Sequence, residues 1–172
     1  AEKDQYDTVT KVLTTTKNSS PYMEHYVLES LCHMGEFELA EKRMCERYSE
    51  MIEEDYSTLW ENWIKNDGTS NHAWTGGPLV IMSKHIAGIM PLSAGYEKAE
   101  IRPQYDLHGN ISCTVPTVKG FIKFSYEKQN NNTIIGLEYP EGTEITLYTP
   151  KNASLTVNGK TFEADKTVYT LN

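Results

Sequence analysis

The sequence lacks the features that mark several common classes of protein. Its 172 residues include three cysteines, and none of them has a C-x-x-C neighbour, so a disulfide framework and a structural zinc site are both disfavoured. A single pair between Cys32 and Cys45 stays open, because the two fall on adjacent predicted helices. No stretch is apolar for as many as about 18 residues, so we expect no membrane span.

Positive charge is also scarce. The formal net charge is −8 at neutral pH, and no run of Lys or Arg stands out. Nucleic acids and anionic membranes are bound through clustered positive charge, so we expect neither as a partner. The chain begins Ala-Glu-Lys-Asp-Gln, without a Met or an apolar signal region. Such a start fits a mature secreted protein or a piece of a longer one.

The first half of the chain, to about residue 95, has a helical period. Ser20 followed by Pro21 predicts a helix start, because Ser caps the first turn and Pro needs no hydrogen-bond partner there. Gly35 predicts the end of that helix, and a second helix follows to form a hairpin. We also expect a helix over residues 3–17 and a deeply buried one over residues 78–89.

After residue 95 the period of the apolar residues changes from 3.6 to 2. Short β-rich runs alternate with turn signals, among them Asn158-Gly159, the preferred type I′ hairpin pair. This spacing predicts an antiparallel β-sandwich. We therefore predict two domains, a helical one over residues 1–95 and a β-sandwich over residues 96–172. The expected strands are 98–102, 110–116, 120–127, 132–139, 143–149, 154–158 and 166–171.

All three tryptophans of the chain lie close together, at positions 60, 63 and 74. Carbohydrate sites use aromatic faces, because a sugar ring presents an apolar face on which an indole stacks. They also use carboxylates and imidazoles to bind hydroxyls and move protons. Glu61 lies between Trp60 and Trp63, and His72 lies near Trp74, which favours a sugar site. The alternative is that the tryptophans are core residues near helix ends.

Five short blocks stand in order along the chain. They are Thr-Leu-Trp-Glu-Asn-Trp at 58–63, Asn-His-Ala-Trp-Thr-Gly-Gly-Pro at 71–78, Gly-Ile-Met-Pro at 88–91, Ile-Arg-Pro-Gln at 101–104 and Thr-Val-Pro-Thr-Val-Lys-Gly at 114–120. Together they resemble consecutive signatures of the family 78 α-L-rhamnosidases, which are glycoside hydrolases. Their order, number and spacing make coincidence improbable. The resemblance covers essentially the whole chain.

This resemblance implies a fold and a reaction. Family members have an (α/α)6 barrel followed by a carboxyl-terminal β-sandwich, and they hydrolyse terminal α-L-rhamnosyl linkages with inversion. Glu61 matches the family's general base, and His72 matches a residue that contacts the rhamnose. Trp60 and Trp74 are expected as wall residues of the site. The implied partner is a rhamnose-containing glycoside or polysaccharide, and no cofactor or metal is implied.

The resemblance also implies an incomplete site. The family's general acid lies far upstream, and this chain has room for only a few of the barrel helices. We therefore expect the carboxyl-terminal part of a rhamnosidase, inactive as an isolated fragment, with exposed helical faces that invite self-association. A competing interpretation is a non-catalytic carbohydrate-binding or structural accessory module. Because enzymes of this kind are often periplasmic or secreted, we expect one of those compartments.

Overall fold

A computed structural model describes residues 1–53 and 57–172 of the chain. The chain divides into two compact units, Ala1–Ile81 and Met82–Asn172. The first unit is helical and the second consists mainly of β-strands. The predicted domain limits, 1–95 and 96–172, stay a prediction; residues 82–95 lie with the second compact unit. Within the described residues, no helix combines the length and apolarity needed to cross a bilayer.

The second helix of the helical unit starts and stops where its capping residues predict. Ser20 caps the second helix by accepting a hydrogen bond from the backbone N–H of Met23 at 3.3 Å. Gly35 adopts a φ of 87° just after that helix ends, a conformation that glycine enters without a Cβ penalty. The helices are α1 (Tyr6–Thr15), α2 (Pro21–His33), α3 (Phe37–Glu53) and the short α4 (Gly77–Ile81).

A buried ion pair joins the first three helices. Glu24 of α2 is fully buried, and its carboxylate accepts hydrogen bonds from Nε and Nη2 of Arg43 on α3. The same guanidinium donates through Nη1 to the carbonyl oxygens of Leu13 and Thr16, at the end of α1. Buried charges are tolerated when they are paired and hydrogen-bonded in this way. The apolar core of this unit is formed by Leu28, Leu31, Cys32, Ala40, Met44, Tyr48, Met51, Trp60 and Ile81.

The helix predicted over residues 78–89 is shorter and less buried than expected. Regular α-helix ends at Ile81, and a π-helical segment follows over Met82–Ile86. Leu79 and Val80 are exposed at 69% and 45%, so the prediction of deep burial is wrong. Apolar residues around a whole helix predict partners on every side, whereas the described residues cover only some sides. Self-association through such exposed faces stays a prediction, and the described helices are too few to confirm an (α/α)6 barrel.

The second unit contains all seven predicted strands and two more. Its strands are β1 (Ile89–Pro91), β2 (Lys98–Ile101), β3 (Asn110–Thr117), β4 (Gly120–Gln129), β5 (Asn132–Glu138), β6 (Glu144–Tyr148), β7 (Ala153–Val157), β8 (Lys160–Glu163) and β9 (Val168–Leu171). They form two sheets, in the orders β1-β2-β6-β9 and β3-β4-β5-β7-β8. The prediction of a purely antiparallel arrangement is wrong, because β2 pairs with β6 and β5 with β7 in parallel. Alternation of apolar residues defines the buried face of a strand and not its direction.

The two sheets share one apolar core. Ile101 and Leu147 of the first sheet belong to the same buried cluster as Phe124 and Leu137 of the second, which is the packing of a β-sandwich. The turn Asn158-Gly159 joins β7 to β8, and both residues have positive φ, 45° and 80°. These angles confirm the predicted type I′ hairpin. The structure thus consists of helices followed by a sandwich of two mixed sheets.

Candidate active site

Residues 59–72 fold back on themselves and bring two polar side chains together. The backbone N–H of Glu61 donates to the carbonyl of Thr69 at 2.9 Å, and the N–H of His72 donates to the carbonyl of Leu59 at 3.0 Å. The Asp67-Gly68 dipeptide is a turn signal, and Gly68 has a φ of 90°. These bonds form a short hairpin-like loop with the side chains of Glu61 and His72 on neighbouring positions.

Side-chain hydrogen bonds attach this loop to the helical core. The hydroxyl of Thr75 donates to the carbonyl of Trp60 at 2.7 Å, and the indole N–H of Trp63 donates to the carbonyl of Ser19 at 2.6 Å. Trp63 also lies under the guanidinium of Arg47, 4.0 Å from its ring centroid. The loop is therefore positioned by packing on both sides, as a catalytic side chain requires.

Thr69 connects the carboxylate of Glu61 to the imidazole of His72. Oε2 of Glu61 accepts from the backbone N–H of Thr69 at 3.0 Å and from its hydroxyl at 3.1 Å. The same hydroxyl lies 2.8 Å from Nδ1 of His72, and Nδ1 lies 3.5 Å from Oε2. The two hydrogen bonds from Thr69, and then the charge of His72, lower the pKa of Glu61, while partial burial acts in the opposite direction. Glu61 is thus an ionised carboxylate at neutral pH.

An exposed row of aromatic rings continues from this pair. His72 stacks on Trp74 with ring centroids 4.0 Å apart and planes at 36°. Tyr22 of α2 lies 5.4 Å from Trp74, and Tyr26 lies 5.7 Å from Tyr22. Trp74 is 46% exposed. An exposed indole beside a carboxylate and an imidazole can stack on a sugar ring while the polar groups bind its hydroxyls.

The structure brings together three of the four site residues expected from the sequence. Glu61, His72 and Trp74 share one exposed region, and the side chains of Glu61 and His72 are 27% and 29% exposed. Trp60 lies apart from them in the core of the helical unit and is 2% exposed. Its predicted role as a wall residue stays a prediction, although burial favours a packing role. The sequence reasoning missed Thr69, for which the only signal was its place directly after the Asp67-Gly68 turn.

Comparison with known proteins shows which family this chain resembles. Residues 88–162 match the model of the bacterial alpha-L-rhamnosidase C-terminal domain. An alpha-L-rhamnosidase of Formosa agariphila is 30% identical over 128 residues, which are 67% of this chain and 14% of that protein. The chain matches the carboxyl-terminal region of family 78 α-L-rhamnosidases. It spans about one seventh of the length of that curated relative.

Solved structures of this family share the fold. The GH78 rhamnosidase of Bacillus sp. GL1 superposes with a TM-score of 0.71 at 23% identity, over 86% of this chain and 17% of that one. The α-L-rhamnosidase of Dictyoglumus thermophilum gives a TM-score of 0.62 at 26% identity, over 74% of this chain and 16% of that one. The chain is therefore related to hydrolases that cleave glycosidic bonds.

Substitution of Gly68 tests whether the position of Glu61 matters in a family 78 enzyme. A Cβ at Gly68 would lie 2.8 Å from Oε2 of Glu61, so Gly68→Ala displaces the carboxylate. In the longest natural polypeptide that contains this chain, we expect turnover of an aryl α-L-rhamnoside to fall by up to about a hundredfold, the size of effect that a 1 Å misplacement can have. Gly35→Ala is the matched control, because Gly35 has a similar φ of 87° and no atom within 4 Å of such a Cβ. Equal activity losses in the two variants would contradict the prediction.

Removal of the Thr69 hydroxyl is expected to raise the pKa of Glu61. The hydroxyl stabilises the ionised carboxylate, so Thr69→Val makes protonation easier and shifts the titration to higher pH. The pKa of Glu61 is lower in the folded chain than in the unfolded chain. Its ionisation therefore stabilises the folded state at pH values above the unfolded pKa, and this stabilisation is lost as the pH falls through the folded pKa. The measurement is an NMR titration of the Glu61 side-chain carbonyl, with Thr69→Ser as the control that keeps the hydroxyl. An unchanged titration midpoint in Thr69→Val would show that the Thr69 hydroxyl does not lower the pKa of Glu61.

Proposed function

We propose that this chain supplies the base half of an inverting α-L-rhamnosidase site, as the carboxyl-terminal part of a larger enzyme. The observation that carries the proposal is the partly exposed carboxylate of Glu61 beside His72 and Trp74. The match to α-L-rhamnosidases supports the reaction. The substrate is then a terminal α-L-rhamnosyl group on a glycoside or a polysaccharide.

In this mechanism Glu61 acts as the general base. It takes a proton from a water molecule as the water oxygen attacks the anomeric carbon of the rhamnosyl group. The glycosidic oxygen leaves on the opposite face with a proton from a second carboxyl group, so the configuration inverts. Inverting enzymes hold these two groups about 6.5–9.5 Å apart. The hydrogen bonds from Thr69 keep Glu61 ionised, which is the form that a base needs.

His72 and Trp74 are proposed to bind the rhamnose. Trp74 offers a half-exposed indole face for the apolar side of the sugar. His72 offers a ring nitrogen to a hydroxyl, and its stacking on Trp74 limits how far the imidazole can turn. Trp60 is a weaker candidate for contact, because its side chain is buried in the helical core. This part of the chain therefore positions the base and one side of the sugar.

The isolated 172-residue chain is expected to have negligible hydrolytic activity. Among the described residues, the hydroxyl of Thr69 links the Glu61 carboxylate to the imidazole of His72, and a base alone cannot protonate the leaving group. The test is hydrolysis of an aryl α-L-rhamnoside by the purified chain, beside the longest natural polypeptide that contains it. Turnover by the isolated chain that disappears in Glu61→Gln would contradict the expectation.

A non-catalytic carbohydrate-binding role is the second candidate, and a groove on the outer face of the five-stranded sheet favours it. This groove has a volume of about 310 Å³, and Lys123 and Glu138 form an ion pair of 2.9 Å at its edge. Four hydroxyl side chains are among the residues that line it, those of Ser112, Thr114, Ser125 and Thr156. Retardation of the chain in a polysaccharide gel, lost in Ser125→Leu and kept in Glu61→Gln, would support binding here. The opposite pattern would support the helical site.

A further inference from the structure

We infer that Thr69 is a positioning residue that holds His72 in the tautomer with its proton on Nδ1, so that Nε2 presents a lone pair to a sugar hydroxyl. The role of the sugar rests on the proposed function, whereas the tautomer rests only on contacts within this chain. The observation behind it is one hydroxyl oxygen, Oγ1 of Thr69, that lies 3.1 Å from Oε2 of Glu61 and 2.8 Å from Nδ1 of His72.

The hydroxyl of Thr69 has one proton for two neighbours. A hydroxyl donates one hydrogen bond and accepts through two lone pairs, whereas an ionised carboxylate only accepts. Hydrogen bonds to a charged acceptor are about twice as strong as neutral ones, so the proton of Thr69 points to Glu61. The oxygen of Thr69 is then left with lone pairs toward Nδ1 of His72. A contact of 2.8 Å between these two atoms therefore requires the N–H at Nδ1.

A second contact favours the same tautomer. Nδ1 of His72 lies 3.5 Å from Oε2 of Glu61. An N–H at this position turns its positive end toward the carboxylate, whereas a lone pair would face a negative charge at close range. A neutral imidazole carries one ring proton, so Nε2 becomes the acceptor. Both contacts of Nδ1 thus lead to one assignment.

This assignment decides which hydrogen bonds the site accepts. With Nε2 as an acceptor, a neutral His72 binds a group that donates, and every sugar hydroxyl can donate. The ring of Trp74 stacks on the imidazole of His72, with centroids 4.0 Å apart, and so limits rotation of the imidazole. The His72 side chain is 29% exposed. His72 therefore selects a substrate that has a hydroxyl at the carbon facing Nε2. Thr69 determines which ring nitrogen of His72 accepts a hydrogen bond, without touching the sugar.

The test is the tautomeric state of His72 in the full 172-residue chain, measured by long-range proton–nitrogen NMR with nitrogen-15 histidine. The spectra are recorded at a pH at which the histidines are neutral, and His72→Gln identifies the signals of His72. Thr69→Val removes the hydroxyl with little change in shape, and Thr69→Ser keeps the hydroxyl. Signals from the four other histidines, His25, His33, His85 and His108, report that each variant is folded.

We expect a pyrrole-type Nδ1 and a pyridine-type Nε2 for His72 in the unsubstituted chain and in Thr69→Ser. In Thr69→Val we expect a shift toward the Nε2–H form, which predominates in free histidine. A pyridine-type Nδ1 in the unsubstituted chain would overturn the inference, and so would a Thr69→Val chain that keeps the Nδ1–H form. The NMR measurement needs no catalysis. The tautomer of His72 can therefore be confirmed even if the activity of Glu61→Gln shows that Glu61 is not the base, so failure of this inference and failure of the proposed function are distinguishable.

Discussion

Glu61→Gln, in the longest natural polypeptide that contains these residues, is expected to lower kcat for aryl α-L-rhamnosides by about a thousandfold, within the range lost when a general base is removed. Gln has nearly the shape of Glu, and its amide oxygen still accepts from the backbone N–H of Thr69. What it loses is the ability to take a proton from water. KM is expected to change little, because the binding groups His72 and Trp74 stay in place.

A surface carboxylate provides the control for this prediction. Glu50 lies on an exposed part of α3, and Glu50→Gln makes the same chemical change away from the loop. Its kcat is expected to match that of the unsubstituted enzyme. A kcat for Glu61→Gln within about threefold of the Glu50→Gln value would mean that Glu61 is not the base.

Arg43→Met is expected to lower the free energy of unfolding of the helical unit by about 3–5 kcal/mol, the cost of removing one partner from a buried ion pair. The substitution removes one of the two arginines that pair with the fully buried Glu24 carboxylate, and it leaves Arg47 with its Nε 3.5 Å from Oε2 of Glu24. It also removes the donors to the carbonyls of Leu13 and Thr16, which join α1 to the other helices. Denaturant unfolding followed by helical circular dichroism measures the change.

Two further variants test the explanation for Arg43. Lys17→Met breaks the exposed pair between Lys17 and Glu46, and we expect it to cost less than about 1 kcal/mol. The double variant Glu24→Gln with Arg43→Met removes both charges, so it is expected to be more stable than Arg43→Met alone. An Arg43→Met chain as stable as Lys17→Met would show that burial of this pair contributes little.

The parts of the fold that depend on local chemistry were predictable from the sequence. Ser20 and Pro21 begin α2 and Gly35 ends it, because capping and positive φ are properties of single residues. The alternating runs located seven strands, and the pair Asn158-Gly159 located a hairpin. These signals act over a few residues and do not depend on the rest of the fold.

The parts that depend on long-range contacts were not predictable. The parallel pairing of β2 with β6 follows a connection that passes through three strands of the other sheet. The alternation of apolar residues does not indicate which strands pair or in which direction. The burial of Trp60 could not be separated from the exposure of Trp74, because both are tryptophans beside polar residues. Thr69 was overlooked since its importance comes from the loop that places its hydroxyl between Glu61 and His72.

The most direct test of the base assignment is rescue of a Glu61→Ala enzyme by added azide. The smaller side chain leaves space beside the anomeric carbon, and azide attacks there without needing a base. We predict that azide restores turnover of an activated aryl α-L-rhamnoside and forms a rhamnosyl azide of inverted configuration at the anomeric carbon. Undiminished hydrolysis by Glu61→Ala in water, or a rhamnosyl azide of retained configuration, would contradict the account.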